Sequence, residues 1–213
     1  MIMNNDLKEA IKNAVVLVVI TLLAGLALGG VYQLTKEPIE HQKELAVAES
    51  CRAVFPAADY PEYDLSFVLT DIQPSEALKN ELLKSGVTIG NIYAAVSPGG
   101  MTEGFAIEAA SSEGYGGDIR LMCGIAADGT LKGVSILEIS ETAGLGMRAE
   151  SVLVPQLRNL HVEHITYTKV GKQTEDEIDA ISGATVTTTA FVNIVNASLD
   201  VFAEINSAEG GAA

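Results

Sequence analysis

The stretch RLMCGIAADGTLKGVSILEI, Arg120 to Ile139, decides the fold. Asp128-Gly129 lies between two runs rich in Leu, Ile and Val, and Asp-Gly suits a tight turn that needs positive φ. Arg120–Ala126 and Gly133–Ile139 are therefore read as the arms of a β-hairpin. Working outward, Thr102–Ala110 supplies a third strand and Ile89–Val96 a fourth, with the turn Pro98-Gly99-Gly100 between them. Leu65–Ile72 reads as one more. Short turns join strands antiparallel, since parallel pairing needs a long crossover. Helices flank this sheet. Ser75 caps one that runs to Lys84 and closes at Gly86; another is expected from Ala149 to Leu157. The last is expected from Thr185 to Ile205, with Val186, Ala190, Ile194, Ala197 and Val201 at helical spacing. The fold class is α+β, built on an antiparallel sheet.

The chain has 213 residues, 48% of them apolar, with 28 acidic side chains and a net charge of −15. Its mean hydropathy is nonetheless +0.27. Those values agree only if the apolar residues are concentrated, and no charge occurs between Lys12 and Lys36. The 23 residues from Asn13 to Thr35 form an apolar run, roughly 35 Å long as a helix and able to cross a ~30 Å hydrocarbon layer. A cleaved signal peptide with Ala27-Leu28-Gly29 as its exit competes with this reading, but the run is longer than a usual signal core. A buried core helix would show a polar face, and this run has none. An uncleaved single anchor in the lipid bilayer is the expectation.

The expected layout is a short N-terminal tail over 1–12, a transmembrane helix over 13–35, and a juxtamembrane helix and linker over 36–64. A globular domain follows over 65–206, then a flexible small-residue tail over 207–213. Pro38 is expected to bend the junction below the anchor. Lys8 and Lys12 face Lys36 and Lys43 across the span, so the positive-inside bias is nearly flat. Export of the large domain is favoured, because long domains cross largely regardless of charge. The whole negative charge lies on residues 36–213 and repels phosphate backbones, which argues against a nucleic-acid partner. Cys51 and Cys123 allow one disulfide and exclude an all-cysteine metal site within this chain. His161 and His164 have no third ligand near them in sequence, so no metal site is expected.

The stretch that carries chemistry is Asp179-Ala180-Ile181-Ser182-Gly183-Ala184-Thr185, at the entrance to the last helix. It offers two hydroxyls, a flexible turn and unpaired backbone N–H groups, an arrangement that attracts phosphate. Taken by itself, Ser182 or Thr185 could equally be a simple helix cap. Two glycine loops stand upstream: Gly114-Tyr115-Gly116-Gly117 and Glu141-Thr142-Ala143-Gly144-Leu145-Gly146. Gly144-Leu145-Gly146 begins a dinucleotide-type string that Ala149 fails to complete.

Asp179 followed by Ser182-Gly183-Ala184-Thr185 resembles D-x-x-[S/T]-G-A-T, the flavinylation motif of the FMN-binding domain family. Gly114 to Ile119 is similar to that family's G-Y-x-G-x-I segment. Glu141 to Gly146 is similar to its E-T-P-G-L-G loop, with Ala143 where proline is usual. Length and the single anchor bring residues 10–205 closest to the family of G subunits of the Rnf complex. That complex is a membrane ferredoxin:NAD oxidoreductase coupled to Na⁺ or H⁺ movement. The C subunit of the Na⁺-translocating NADH:quinone reductase shares the motif and is the runner-up.

The resemblance implies a covalent FMN, joined as a phosphoester to Thr185 by a flavin transferase that uses FAD. Ser182, Gly183 and Ala184 would shape the phosphate cradle. Glu141, Thr142, Gly144, Leu145 and Gly146 would lie near the ring. Tyr115 is either a wall of that site or a core residue. Asp179 serves attachment or is an ordinary first-turn carboxylate. The implied function is electron relay among the other Rnf subunits, with no independent catalysis. The implied place is the cell membrane, single-pass, with the flavin domain on the extracytoplasmic side. A stand-alone extracytoplasmic flavin reductase would use the same site with different partners.

Overall fold

The computed structural model describes residues 3–210, in two compact units, 1–45 and 46–213. A single helix, α1 (Met3–Val54), supplies all of the first unit that is described. Residues 3–12, read as a tail, are thus helical, while Met1 and Ile2 lie outside the described residues. Helix assignment continues through Pro38, although its missing N–H leaves the Leu34 carbonyl without its helical donor. Leu17, Val18, Leu22, Leu23, Leu26 and Leu28 are all exposed, an apolar surface with no polar face. Thr21 donates to the Leu17 carbonyl and Thr35 to that of Val31, both at 3.0 Å, so the hydroxyls are satisfied within the helix. Such a helix suits hydrocarbon, where backbone and side-chain polar groups must pair internally.

In the second unit β1 (Ser66–Leu69), β2 (Val87–Val96), β3 (Thr102–Ser111), β4 (Ile119–Ala126) and β5 (Leu131–Ile139) form an antiparallel meander in that order. The hairpin turn is as expected: Gly129 takes φ +86° and Ala126 N–H donates to Thr130 O at 2.9 Å. β1 is shorter than Leu65–Ile72, although Thr70 N–H still reaches Ile92 O at 2.9 Å. α2 (Glu76–Lys84) begins where Ser75 Oγ accepts from Leu78 N–H at 3.2 Å.

Both faces of the sheet are covered. One face, with Ile107, Leu121, Cys123 and Ile125, packs against α4 (Thr185–Gly210) through Phe191, Ile194, Val195, Val201 and Phe202. Each large apolar side chain buried there contributes about 1.5–3 kcal/mol. The other face packs Ala95, Ala106 and Met122 beneath the last turn of α1, at Cys51, Val54 and Phe55. Gly124 pairs with Gly133 across β4 and β5, and a Cβ on Gly124 would stand 2.7 Å from Val54. These glycines let the helix end lie close to the sheet.

Two expectations are corrected. The helix over Ala149–Leu157 is only α3 (Ala149–Val152), followed by a 3₁₀ turn over Val154–Gln156. Pro155 cannot donate to the Ser151 carbonyl, so the helix cannot continue. α4 runs beyond Ile205, taking 207–210 out of the expected flexible tail; 211–213 lie outside the described residues. A two-stranded parallel pair that the sequence reading did not assign, β6 (Thr166–Thr168) with β7 (Glu177–Asp179), delivers the chain to α4.

Candidate functional site

The turn before α4 is built by one buried hydroxyl. Thr188 Oγ1 accepts from Ile181 N–H at 3.2 Å and donates to the Ala184 carbonyl at 2.9 Å. Ala184 N–H closes the turn on Ile181 O at 3.0 Å, with Gly183 at φ +80°. Helix geometry then leaves the amides of Thr185, Val186 and Thr187 without helical acceptors, directed past the start of α4. Thr185 is half-buried at this first position.

Two further loops face this helix start. Tyr115 N–H donates to Glu141 Oε1 at 2.8 Å, tying the 114–117 loop to the end of β5. A Cβ on Gly116 would collide with the Ser140 carbonyl, so only glycine permits that approach. The 141–146 loop turns through Leu145 N–H to Thr142 O at 3.1 Å, and it does so with Ala143 in place of a proline. A Cβ on Gly183 would stand 3.3 Å from Leu145 Cδ2, which measures how closely the loop meets the turn.

Between them is a cleft of about 460 Å³, within the roughly 300–1,000 Å³ usual for small-molecule sites. Tyr115, Glu141, Thr142, Leu145 and Gly146 line one side; Gly183, Ala184, Thr185, Val186 and Thr187 line the other. Three loops distant in sequence thus converge on one space. No Lys or Arg lines it among the described residues, so the electropositive element is the helix N-terminus. Glu141 Oε2 is buried and, among the described residues, lacks a hydrogen-bond partner. Thr185 and Val186 also border a neighbouring cavity of about 370 Å³ that holds Lys84 and Glu113.

Several sequence-based candidates lie elsewhere. Ser182 and Gly144 are exposed and do not line the cleft; Gly144 serves its turn at φ +77°. Asp179 is not a first-turn carboxylate: it belongs to β7, six positions before the helix, and its Oδ1 accepts from Lys172 N–H at 2.8 Å. Tyr115 is 75% exposed, which overturns the core reading and leaves it at the cleft mouth. Val186, placed by spacing on the apolar face of α4, is 49% exposed and lines the cleft, while its neighbours Thr187 and Thr188 are buried. Val186 and Thr187 are the lining residues that pattern reading missed, although their place directly after the motif in the first turn of the helix was available as a signal. His161 bonds Thr130 Oγ1 at 3.2 Å and His164 bonds Asp200 at 2.9 Å.

Residues 114–200 match the FMN-binding domain family, a span that begins at the first glycine loop and takes in most of α4. Residues 1–54 match the RnfG N-terminal region. The G subunit of the ion-translocating oxidoreductase complex of Haemophilus influenzae (strain PittEE) is 32% identical over 186 residues, covering 82% of this chain and 81% of that protein. The chain belongs to the family of G subunits of ion-translocating oxidoreductase complexes. Similarity to other members of that family extends over nearly the whole length. The G subunit of the Na⁺-translocating ferredoxin:NAD⁺ oxidoreductase complex of Acetobacterium woodii is 28% identical over 94% of this chain and 95% of that protein. The Methanosarcina acetivorans G subunit is 28% identical over 92% and 96%. The crystal structure of Shewanella oneidensis NqrC aligns with a TM-score of 0.49 at 15% identity, over 76% of this chain and 97% of that one. Of the two families weighed from the sequence, membership falls to the G subunits.

Proposed function

We propose that this chain is the electron-transfer subunit of an Rnf-type membrane complex and carries FMN as a phosphoester on the Thr185 hydroxyl. The observation that carries the reading is the position of Thr185: first residue of α4, half-buried, on the wall of a cleft formed by both glycine loops. The donor set suits the group. The free amides at the helix start offer hydrogen bonds to a phosphate, and the helix dipole favours its charge. Tyr115, Thr142 and Leu145 give the cleft an apolar wall for a flat ring. Bound there, FMN supplies one- or two-electron exchange.

The residues of this chain hold and orient the group. Ala184 and Gly183 shape the turn, Thr188 fixes it, and Gly146 lets the loop approach the helix. Donor and acceptor would be other subunits of the complex, whose oxidoreduction of ferredoxin and NAD would drive Na⁺ or H⁺ across the membrane. α1 would cross the cell membrane once, with the flavin domain on the extracytoplasmic side. A flavin transferase drawing on FAD would install the phosphoester.

The test is intact mass and ultraviolet fluorescence of the denatured chain, expressed in a host with the transferase. Wild type is expected to carry one adduct equal to FMN less water, and Thr185→Ala none. An unmodified wild type, or a fluorescent Thr185→Ala band, overturns the phosphoester. Copurification with polytopic subunits is expected in detergent; a lone chain with full reductase activity on a soluble acceptor overturns the complex assignment.

A further inference from the structure

Glu141 supplies the only carboxylate lining the cleft among the described residues, and its two oxygens are treated differently. Oε1 accepts from Tyr115 N–H at 2.8 Å. Oε2 is buried and, among the described residues, unpartnered. A buried acceptor without a donor is rare and asks for a cause. A Cβ on Gly146 would stand 2.8 Å from Oε2 and 2.7 Å from Thr187 Oγ1, so carboxylate and hydroxyl flank the same glycine. Oε1 is anchored at the other end. The second oxygen is thus buried in the wall of the cleft, away from water.

Two fixed fields therefore meet in this cleft. The N-terminus of α4 presents positive potential and favours added electrons on a bound group. The carboxylate opposes them, and in a partly desolvated cleft neither field is screened as it would be in water. No lysine or arginine lines the cleft to neutralise it among the described residues. We infer that Glu141 sets the reduction potential of the group bound in this cleft, holding it below the value that the helix terminus alone would give. This inference rests on the flavin reading above and adds a role for one residue within it. Glu141 is a positioning and tuning group; it transfers nothing.

Glu141→Gln is the informative substitution. Glutamine keeps an oxygen for the Tyr115 amide while replacing the second oxygen with a neutral donor. The full chain, loaded with flavin in a transferase-containing host, is titrated against dyes of known potential with optical readout. Glu141→Gln is expected to shift the reduction equilibrium at least tenfold toward the reduced form, ~30 mV upward for a two-electron couple or ~59 mV for one electron. Glu141→Asp, which keeps the charge, is expected to move it less than threefold. In wild type, a carboxylate stretching band is expected to shift on reduction in the infrared difference spectrum, a measurement that does not depend on the variants folding. A fully loaded Glu141→Gln within threefold of wild type overturns the inference, as does a wild-type spectrum with no carboxylate change. An unmodified wild-type mass overturns the flavin reading instead, so the two failures are distinguishable.

Discussion

Gly146 and Thr187 leave no room for a methyl group between them: a Cβ on Gly146 would sit 2.7 Å from Thr187 Oγ1. The glycine loop and the first turn of α4 thus meet in direct contact here, where two walls of the cleft join. Gly146→Ala should force the two walls apart. Overpacking of this kind costs about 1–3 kcal/mol. A urea melt of the variant should show that loss, together with a lower yield of flavin adduct by mass although Thr185 is intact. Wild-type stability with wild-type loading would mean that the contact does not matter.

Both cysteines should be inert in the folded protein. Burial pushes the Cys51 thiol to about 11 and the Cys123 thiol to about 12, and both are free. Only the thiolate reacts with disulfide reagents. At pH 8 the native chain is expected to resist labelling over the time in which urea-unfolded chain takes two equivalents. Both folded values lie above the thiol's ordinary 9.0. Their contribution to stability is therefore complete below pH 9 and lost as pH rises through 11 to 12. Cys123→Ala should flatten that alkaline limb in a stability-versus-pH series; an unchanged limb would count against burial as its origin.

The acid side depends on the hairpin turn. Thr130 N–H donates to Asp128 Oδ1 at 2.9 Å, and this bond, helped by His161 and Lys132, holds the Asp128 carboxyl below its usual 3.8. A depressed value contributes stability above pH 3.8 that is lost as pH falls below it. The group is largely exposed, so Asp128→Ala should cost only about 0.5 kcal/mol at pH 7. The difference from wild type should shrink as pH falls below 3.8 and the carboxyl is protonated. An equal deficit at pH 7 and pH 3 would show a packing effect instead.

Local signals were legible and long-range ones were not. Asp128-Gly129, the Ser75 cap and the turn before Thr185 announce themselves because the residues that make them lie within a few positions of one another. β4 is buried along nearly its whole length and shows little alternation, because the end of α1 covers the face that would otherwise meet water. Gly124 and Gly133 read as weak strand residues until Val54 is found above them. Ser75 N–H donates to Glu204 Oε1 at 2.6 Å across 129 positions, which no window reveals. Within the site the glycine loops were found by pattern. Thr187 and Val186 were not, because both follow the motif's last residue and spacing assigns Val186 to the apolar face of α4, whereas it is exposed on the cleft.

Thr188 gives a test of whether the turn or the hydroxyl of Thr185 limits attachment. Its side chain is fully buried and joins Ile181 N–H to the Ala184 carbonyl, so it braces both ends of the Ser182–Gly183 turn. Valine preserves the shape but leaves the Ile181 amide unpaired; a buried donor left that way costs about 1–3 kcal/mol. The Ala184 carbonyl keeps its bond from Thr188 N–H at 3.0 Å, so α4 itself should persist. Thr188→Val is thus expected to unfold at lower urea with unchanged helix content by circular dichroism. It should also carry less adduct than wild type, because the loosened turn no longer presents Thr185 in one orientation. Full loading at reduced stability would show that the transferase reads the motif in an extended chain, before the turn has formed.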